Sequence, residues 1–128
     1  MEFGLKDKGV IVTGGSRGIG FAIAEAFAAE GANVSICGRT QGSLDDAKEK
    51  LAAHGGTVHA AICDVGDAAS LESYINAAEA TLGGLGVLVN NPSGFGRTDD
   101  EDGWRKSIDV DLMATLRGSW QAIPMIEK

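Results

Sequence analysis

The sequence predicts an α/β domain: a doubly wound parallel sheet with helices on both faces and strand order 3-2-1-4. Three observations predict it. Short apolar runs of strand type alternate with stretches whose apolar residues recur at helical spacing. The links between them are short and marked by glycine. Parallel strands need crossovers, and helices of the predicted lengths supply them.

Each element has its own signal. Val10 to Thr13 is a short apolar run. Ile19 to Glu30 carries Ile19, Ile23, Ala26 and Phe27 at helical spacing, and Gly31 stops it. Asn33 to Cys37, with Val34 and Ile36, reads as the second strand. Ser43 to His54 is the second helix, with Leu44, Ala47 and Leu51 on one face and Gly55-Gly56 beyond its end. Thr57 to Cys63 is the third strand. Asp67 is placed as an N-cap, and Leu71, Tyr74, Ile75, Ala78 and Leu82 follow on one helical face until Gly83-Gly84. Val87 to Asn90 is the fourth strand, and one long helix runs from about Asp100 to near Pro124. Right-handed crossovers leave few ways to connect these pieces, and the expected result is the first half of a Rossmann-type sheet.

Composition bounds the function. The chain has 128 residues, 44% of them apolar and 23% charged, which suits one modest domain over residues 1–128 with a real core. No apolar run is long enough to span a bilayer, and Met1 to Lys8 lack the apolar core of a signal peptide, so the expected location is cytoplasmic. The net charge of −7 argues against nucleic acid or an anionic membrane as partner. It also means that a phosphate ligand must be held by a local arrangement, against the general field. Cys37 and Cys63 are expected to be buried free thiols, and with His54 and His59 they match no zinc spacing. No metal is expected.

The most informative segment joins the first strand to the first helix: Thr13-Gly14-Gly15-Ser16-Arg17-Gly18-Ile19-Gly20. A strand ends there, the chain turns sharply, and a helix N-terminus is left open for a pyrophosphate. Gly14 permits the turn, Gly18 lets backbone approach a ligand, and Gly20 lets the helix pack close to the strand. Ser16 and Ile19 sit in the same loop. The spacing differs from G-x-G-x-x-G. It resembles the Thr-Gly-x-x-x-Gly-x-Gly motif of the short-chain dehydrogenase/reductase family. Further matches follow in that family's order. Cys63-Asp64-Val65 resembles the acidic end of the third strand, where the Asp lies near the adenine. Asn90-Asn91-Pro92-Ser93-Gly94 resembles Asn-Asn-Ala-Gly at the end of the fourth. Trp104 and Val110-Asp111-Leu112 resemble the Trp and the Val-Asn-Leu of the long helix.

A free ribose 2′-hydroxyl is usually met by an Asp or Glu after the second strand, but here that strand runs into Gly38-Arg39-Thr40. Arg39 can pair with a 2′-phosphate, and Arg17 can reach it from the other side. NADP(H) is therefore expected over NAD(H), and the resemblance implies the same preference. Cofactor contacts are expected from Gly14, Ser16, Arg17, Gly18, Ile19, Gly20, Arg39, Thr40, Asp64, Val65, Asn90 and Gly94.

The resemblance implies hydride transfer to a small carbonyl or from an alcohol, carried out by a Tyr, a Lys four residues later, a Ser and an Asn. The lone tyrosine, Tyr74, has Ala78 four residues on and lies on an apolar helical face, so it reads as core. The family's Ser and Tyr-x-x-x-Lys are absent, because the resemblance ends at about Lys128. The Asn position holds Asp111. The chain alone is expected to bind NADPH weakly and not to turn over. The alternative is a non-catalytic NADP-binding or assembly module. Val87-Leu88-Val89 is expected to form an exposed apolar edge. A stripe of Val110, Met113, Leu116, Arg117 and Trp120 either covers the chain's own sheet or meets a partner. A homo-oligomer, dimer or tetramer, or a complementary C-terminal fragment is the expected partner.

Overall fold

The computed structural model describes residues 2–92 and 98–128. Among the described residues, four strands form one sheet: β1 (Gly9–Val12), β2 (Asn33–Gly38), β3 (Val58–Ile62) and β4 (Val87–Val89). All pairings are parallel, in the order β3-β2-β1-β4. Val10 stands opposite Val34 on one side and Val87 on the other. The helices α1 (Gly18–Ala29), α2 (Gln41–Ala52) and α3 (Ala68–Leu82) fill the crossovers. The predicted strand order is the observed one.

Side chains alternate across each strand, and both faces are covered. Val10 and Val12 of β1, with Val34 and Ile36 of β2, pack under α1 and α2 against Ala24, Leu44 and Leu51. Ile11 and Cys37 point the other way, toward Leu71 and Ile75 of α3. Central strands buried on both faces are mainly apolar, which is why β1 is one continuous apolar run, while in β2 the run is broken by the buried Ser35.

The first helix departs from expectation. Its buried line is Gly20, Ala24 and Ala28, four residues apart, and not Ile19, Ile23, Ala26 and Phe27. Ile19 is 75% exposed. Small residues on the inner line bring the helix axis close to the sheet, while Ile23 and Phe27 pack along the flanks. A stripe chosen by side-chain size misses a helix docked by its smallest residues.

The third helix is as predicted. Asp67 Oδ1 accepts hydrogen bonds from the N–H groups of Ala69 (2.9 Å) and Ser70 (3.2 Å). Gly83 closes the other end with φ 78°, in the left-handed region that suits glycine. All five predicted apolar residues are buried. Asp67→Ala is expected to cost about 1 kcal/mol, read as a fall in the denaturation midpoint at unchanged m-value.

The expected single long helix is divided. It comprises α4 (Glu101–Lys106), a π-helical stretch (Ser107–Met113) and α5 (Ala114–Ile126). Its inner line, like that of α1, is made of small residues, Ala114, Gly118 and Ala122. The predicted stripe therefore does not cover the sheet. Val110, Met113 and Arg117 are half-buried, while Leu116 and Trp120 are exposed, Trp120 by 65%. Among the described residues, no helix is long and apolar enough to cross a membrane. As expected, β4 is an edge strand of the sheet.

One polar group lies deep in the core. Ser35 of β2 is fully buried, and its Oγ lies 2.6 Å from Tyr74 Oη and 2.8 Å from His59 Nδ1. Burial pushes the Tyr74 phenol well above its usual pKa, so the phenol stays protonated. Ser35 Oγ bridges it to the His59 ring by hydrogen bonds. Desolvation, and then the charge of Lys48, lower the His59 pKa. The folded state thus prefers uncharged His59. This contribution to stability is complete above the unfolded pKa of about 6.5 and is lost as pH falls below it. Melting temperature should fall between about pH 7.5 and pH 5.5, and His59→Gln should flatten that fall. An equal slope in the variant would count against the network. Ser35→Ala should cost about 2 kcal/mol, because Tyr74 Oη would lose its buried partner.

Candidate functional site

The carboxyl ends of the strands converge on a cavity of ≈ 410 Å³. Its near wall is the turn after β1. Thr13 N donates to Val89 O (3.1 Å), and Thr13 Oγ1 accepts from Asn91 N (3.0 Å). Asn91 Nδ2 donates to Gly14 O (3.3 Å). These bonds tie the turn to the end of β4. Gly15 N donates to Cys37 O (3.2 Å) and ties it to β2.

Two glycines are required by this geometry. Gly14 has φ 65°, and a Cβ there would stand 2.5 Å from Asn91 O. A Cβ on Gly20 would stand 2.2 Å from Gly14 O, so only glycine lets α1 start this close to the turn. Gly18, by contrast, has open space where its Cβ would be, and it borders the cavity.

The helix ends differ in a telling way. Asp67 caps α3 and Asp100 caps α4, through Gly103 N at 2.8 Å. Among the described residues, neither α1 nor α2 has a side-chain cap. The N-cap positions of those two helices are Arg17 and Thr40. The positive end of α1 is therefore open beside the cavity, with Arg17 and Gly18 in its wall.

Opposite the turn lie Gly38 at the end of β2, Arg39 just beyond it, and Asp64 and Val65 after β3. Asp64 Oδ1 accepts from Gly66 N (3.0 Å), and Ser70 Oγ accepts from Asp64 N (3.1 Å), which fixes this loop. Arg17 and Arg39 border the cavity from different elements. Among the described residues, neither is in an ion pair.

Most of the residues marked from sequence meet at this cavity: Gly14, Ser16, Arg17, Gly18, Ile19, Arg39, Asp64 and Val65. Four do not. Gly20 packs beneath the turn. Thr40 holds the N-cap position of α2 without a side-chain cap and stands outside the wall. Asn90 Nδ2 lies 3.3 Å from Ser119 Oγ and faces α5. Asp111 is on the exposed side of the π-helical stretch, and its neighbour Val110 is the one that borders the cavity. Gly94 lies outside the described residues.

Sequence reading missed Cys37, Gly38, Cys63, Asn91, Pro92 and Val110 in the wall. For Asn91 a signal existed. Leu88 packs with the α3 and α5 layer, so Asn90, two residues on, turns to that same side. Parity alone sends Asn91 toward the turn. The π-helical widening at Ser107–Met113 left no such mark in the sequence, and it carries Val110 over the β3–α3 loop. A Cβ on Gly66 would come within 3.0 Å of Val110 Cγ2. Single π-turns inside helices often accompany functional sites.

The sequence model of the short chain dehydrogenase family matches residues 8–128. The chain belongs to the short chain dehydrogenase family. Among curated members, Hydroxysteroid dehydrogenase-like protein 2 of Mus musculus is 35% identical over 130 residues, covering 93% of this chain and 26% of that protein. Dehydrogenase/reductase SDR family member 4 of Homo sapiens is 34% identical over 129 residues, covering 97% of this chain and 46% of the other. Among solved members, L-sorbose reductase from Gluconobacter frateurii, crystallised with NADPH and L-sorbose, superposes with a TM-score of 0.91 at 30% identity. That match covers 98% of this chain and 50% of the reductase. The chain thus spans half or less of the length of these short chain dehydrogenases.

Proposed function

We propose that this chain is the cofactor-binding part of an oxidoreductase that transfers hydride between NADP(H) and a small carbonyl or alcohol. The observation that carries the reading is the pairing of an uncapped α1 N-terminus with two arginines across one cavity. The cavity residues fit a dinucleotide. Gly14 and Gly20 exclude any side chain from the turn, and Gly18 leaves room for a ligand to approach the backbone. N–H groups at the start of α1 would hold the diphosphate. Asp64 and Val65 would flank the adenine, and Arg17 and Arg39 would clasp a 2′-phosphate from two sides. L-sorbose reductase was crystallised with NADPH, and a Burkholderia cenocepacia short chain dehydrogenase, 26% identical, with NADP. Both parallels favour the phosphorylated cofactor.

When bound, the cofactor supplies or accepts the hydride. This chain's part is to grip and orient it. The proton donor, its Lys and the substrate-orienting Ser would come from sequence beyond these residues, since Tyr74 is buried against Ser35 and has no such role. A second reading, a module that binds NADP(H) without turnover, draws on Asp111 standing at the family's Asn position. The full reading frame, assayed for NADPH oxidation on a panel of ketones, sugars and aldehydes, decides between them. Turnover supports the first reading. Tight NADPH binding with no turnover on any carbonyl leaves the second.

We also assign the outward face of the last helical segment to subunit contact. Ile108, Leu112, Leu116 and Trp120 recur every four residues there, all exposed, Leu112 by 60%. Such a continuous apolar ridge on one face marks an association surface. The double substitution Leu116→Glu with Trp120→Glu should lower the sedimenting mass to that of a monomer while far-UV circular dichroism stays unchanged. An unchanged mass would remove this assignment.

A further inference from the structure

Two thiols meet beneath the cavity. Cys37 pairs across the sheet with Ala61, so Cys63 is two residues further on and on the same face. Both are buried, both belong to the core layer under α3, and both reach the cavity wall. Ser70 Oγ donates a hydrogen bond to the Cys63 sulfur at 3.6 Å. The neighbouring Cys37 thiol, and then Ser70, bring the Cys63 thiol below its ordinary pKa, although burial and the charges of Asp64 and Asp67 oppose them. The same contact, with burial, pushes Cys37 far up. One sulfur is thus prepared to ionise, and the other is held protonated against it.

We propose that Cys37 and Cys63 form a reversible disulfide that weakens dinucleotide binding; the proposal rests on the cofactor reading above. A peroxide is the oxidant. The Cys63 thiolate attacks one peroxide oxygen, the O–O bond breaks, and a sulfenic acid forms as hydroxide leaves and takes up the thiol's proton to become water. The Cys37 sulfur then attacks the Cys63 sulfur. The S–S bond forms, the S–O bond breaks, and the Cys37 proton leaves with the hydroxyl as a second water. Two thiols lose two electrons, and the peroxide gains them.

The effect on binding follows from reach. With strands about 4.8 Å apart and a rise of about 3.3 Å per residue, Cα atoms two positions out of register on neighbouring parallel strands lie about 8 Å apart, whereas a disulfide holds them at about 4.4–6.8 Å. Forming the bond draws the end of β3 toward β2. Asp64 and Val65 follow Cys63, and Gly38 and Arg39 follow Cys37, so the wall on which the adenosine would rest is displaced.

The test compares the full chain, reduced and after hydrogen peroxide. The expected results are a loss of two hydrogens by intact mass, a peptide joining Cys37 to Cys63 in a digest run without reductant, and NADPH binding weakened about tenfold or more. Dithiothreitol should restore both mass and affinity. Cys37→Ala and Cys63→Ala should each lose the peroxide response, measured against the same variant untreated. Oxygen addition without the joined peptide would overturn the proposal, and so would a disulfide that leaves NADPH affinity unchanged. A reduced protein that does not bind NADPH removes the cofactor reading and the switch with it, while the joined peptide still reports the thiol chemistry by itself.

Discussion

Gly20→Ala is expected to lower stability by about 3 kcal/mol, the upper range for forcing atoms into a packed site. In thermal unfolding this is a fall of roughly 10 °C for a chain of this size. The reason is local. The new Cβ would stand 2.2 Å from Gly14 O and 2.5 Å from Asn91 Nδ2. Neither neighbour can retreat, because Asn91 is bonded to both Thr13 and Gly14. Helix α1 must then lift from the sheet, and its inner line of Gly20, Ala24 and Ala28 loses contact along its whole length. A control separates this from helix propensity. Gly42, near the start of α2, has nothing within 4 Å of its would-be Cβ. Gly42→Ala should raise stability by about 0.5 kcal/mol. If both substitutions behaved alike, the close approach of α1 would not be what Gly20 provides.

Arg39→Asp is expected to weaken NADPH binding about 100-fold, the loss of a charge-assisted pair replaced by repulsion. NADH binding should change by less than about threefold, since its ribose bears no phosphate and an Asp can accept from the 2′-hydroxyl. Arg17→Ala should act in the same direction with a smaller effect. The net charge of −7 sharpens the test. The protein's general field repels a phosphate, so what favours the 2′-phosphate must be the two guanidiniums at the cavity. The selectivity should shrink as salt is raised, because both arginines are exposed to solvent. Equal losses for NADPH and NADH would place the adenosine end elsewhere.

The strands were legible because short, mainly apolar runs between glycine-marked turns leave few alternatives. The glycine turn was legible because Gly14 and Gly20 are constrained by contacts that any other residue would break. Helix faces were legible where large side chains face inward, as in α3, and illegible where small ones do, as in α1 and α5. Size-based periodicity follows the largest residues, and in those two helices the largest residues lie on the flanks or in solvent. Asn90 and Asp111 show a second limit. Family motifs mark positions, but which neighbour faces the cavity is set by strand parity at Asn90 and Asn91 and by the π-helical stretch at Val110 and Asp111. The Cys37–Cys63 contact arises from two strands adjacent only in space, so neither local pattern nor spacing encodes it.

The most direct test is amide chemical-shift mapping of the chain titrated with NADPH. The expected shifts fall on Gly14 to Gly20, on Gly38 and Arg39, and on Asp64 and Val65, with the amides at the start of α1 moving most. Shifts confined to the outward face of α5, or no shift in the glycine turn at saturating NADPH, would contradict the assignment of this cavity to a dinucleotide.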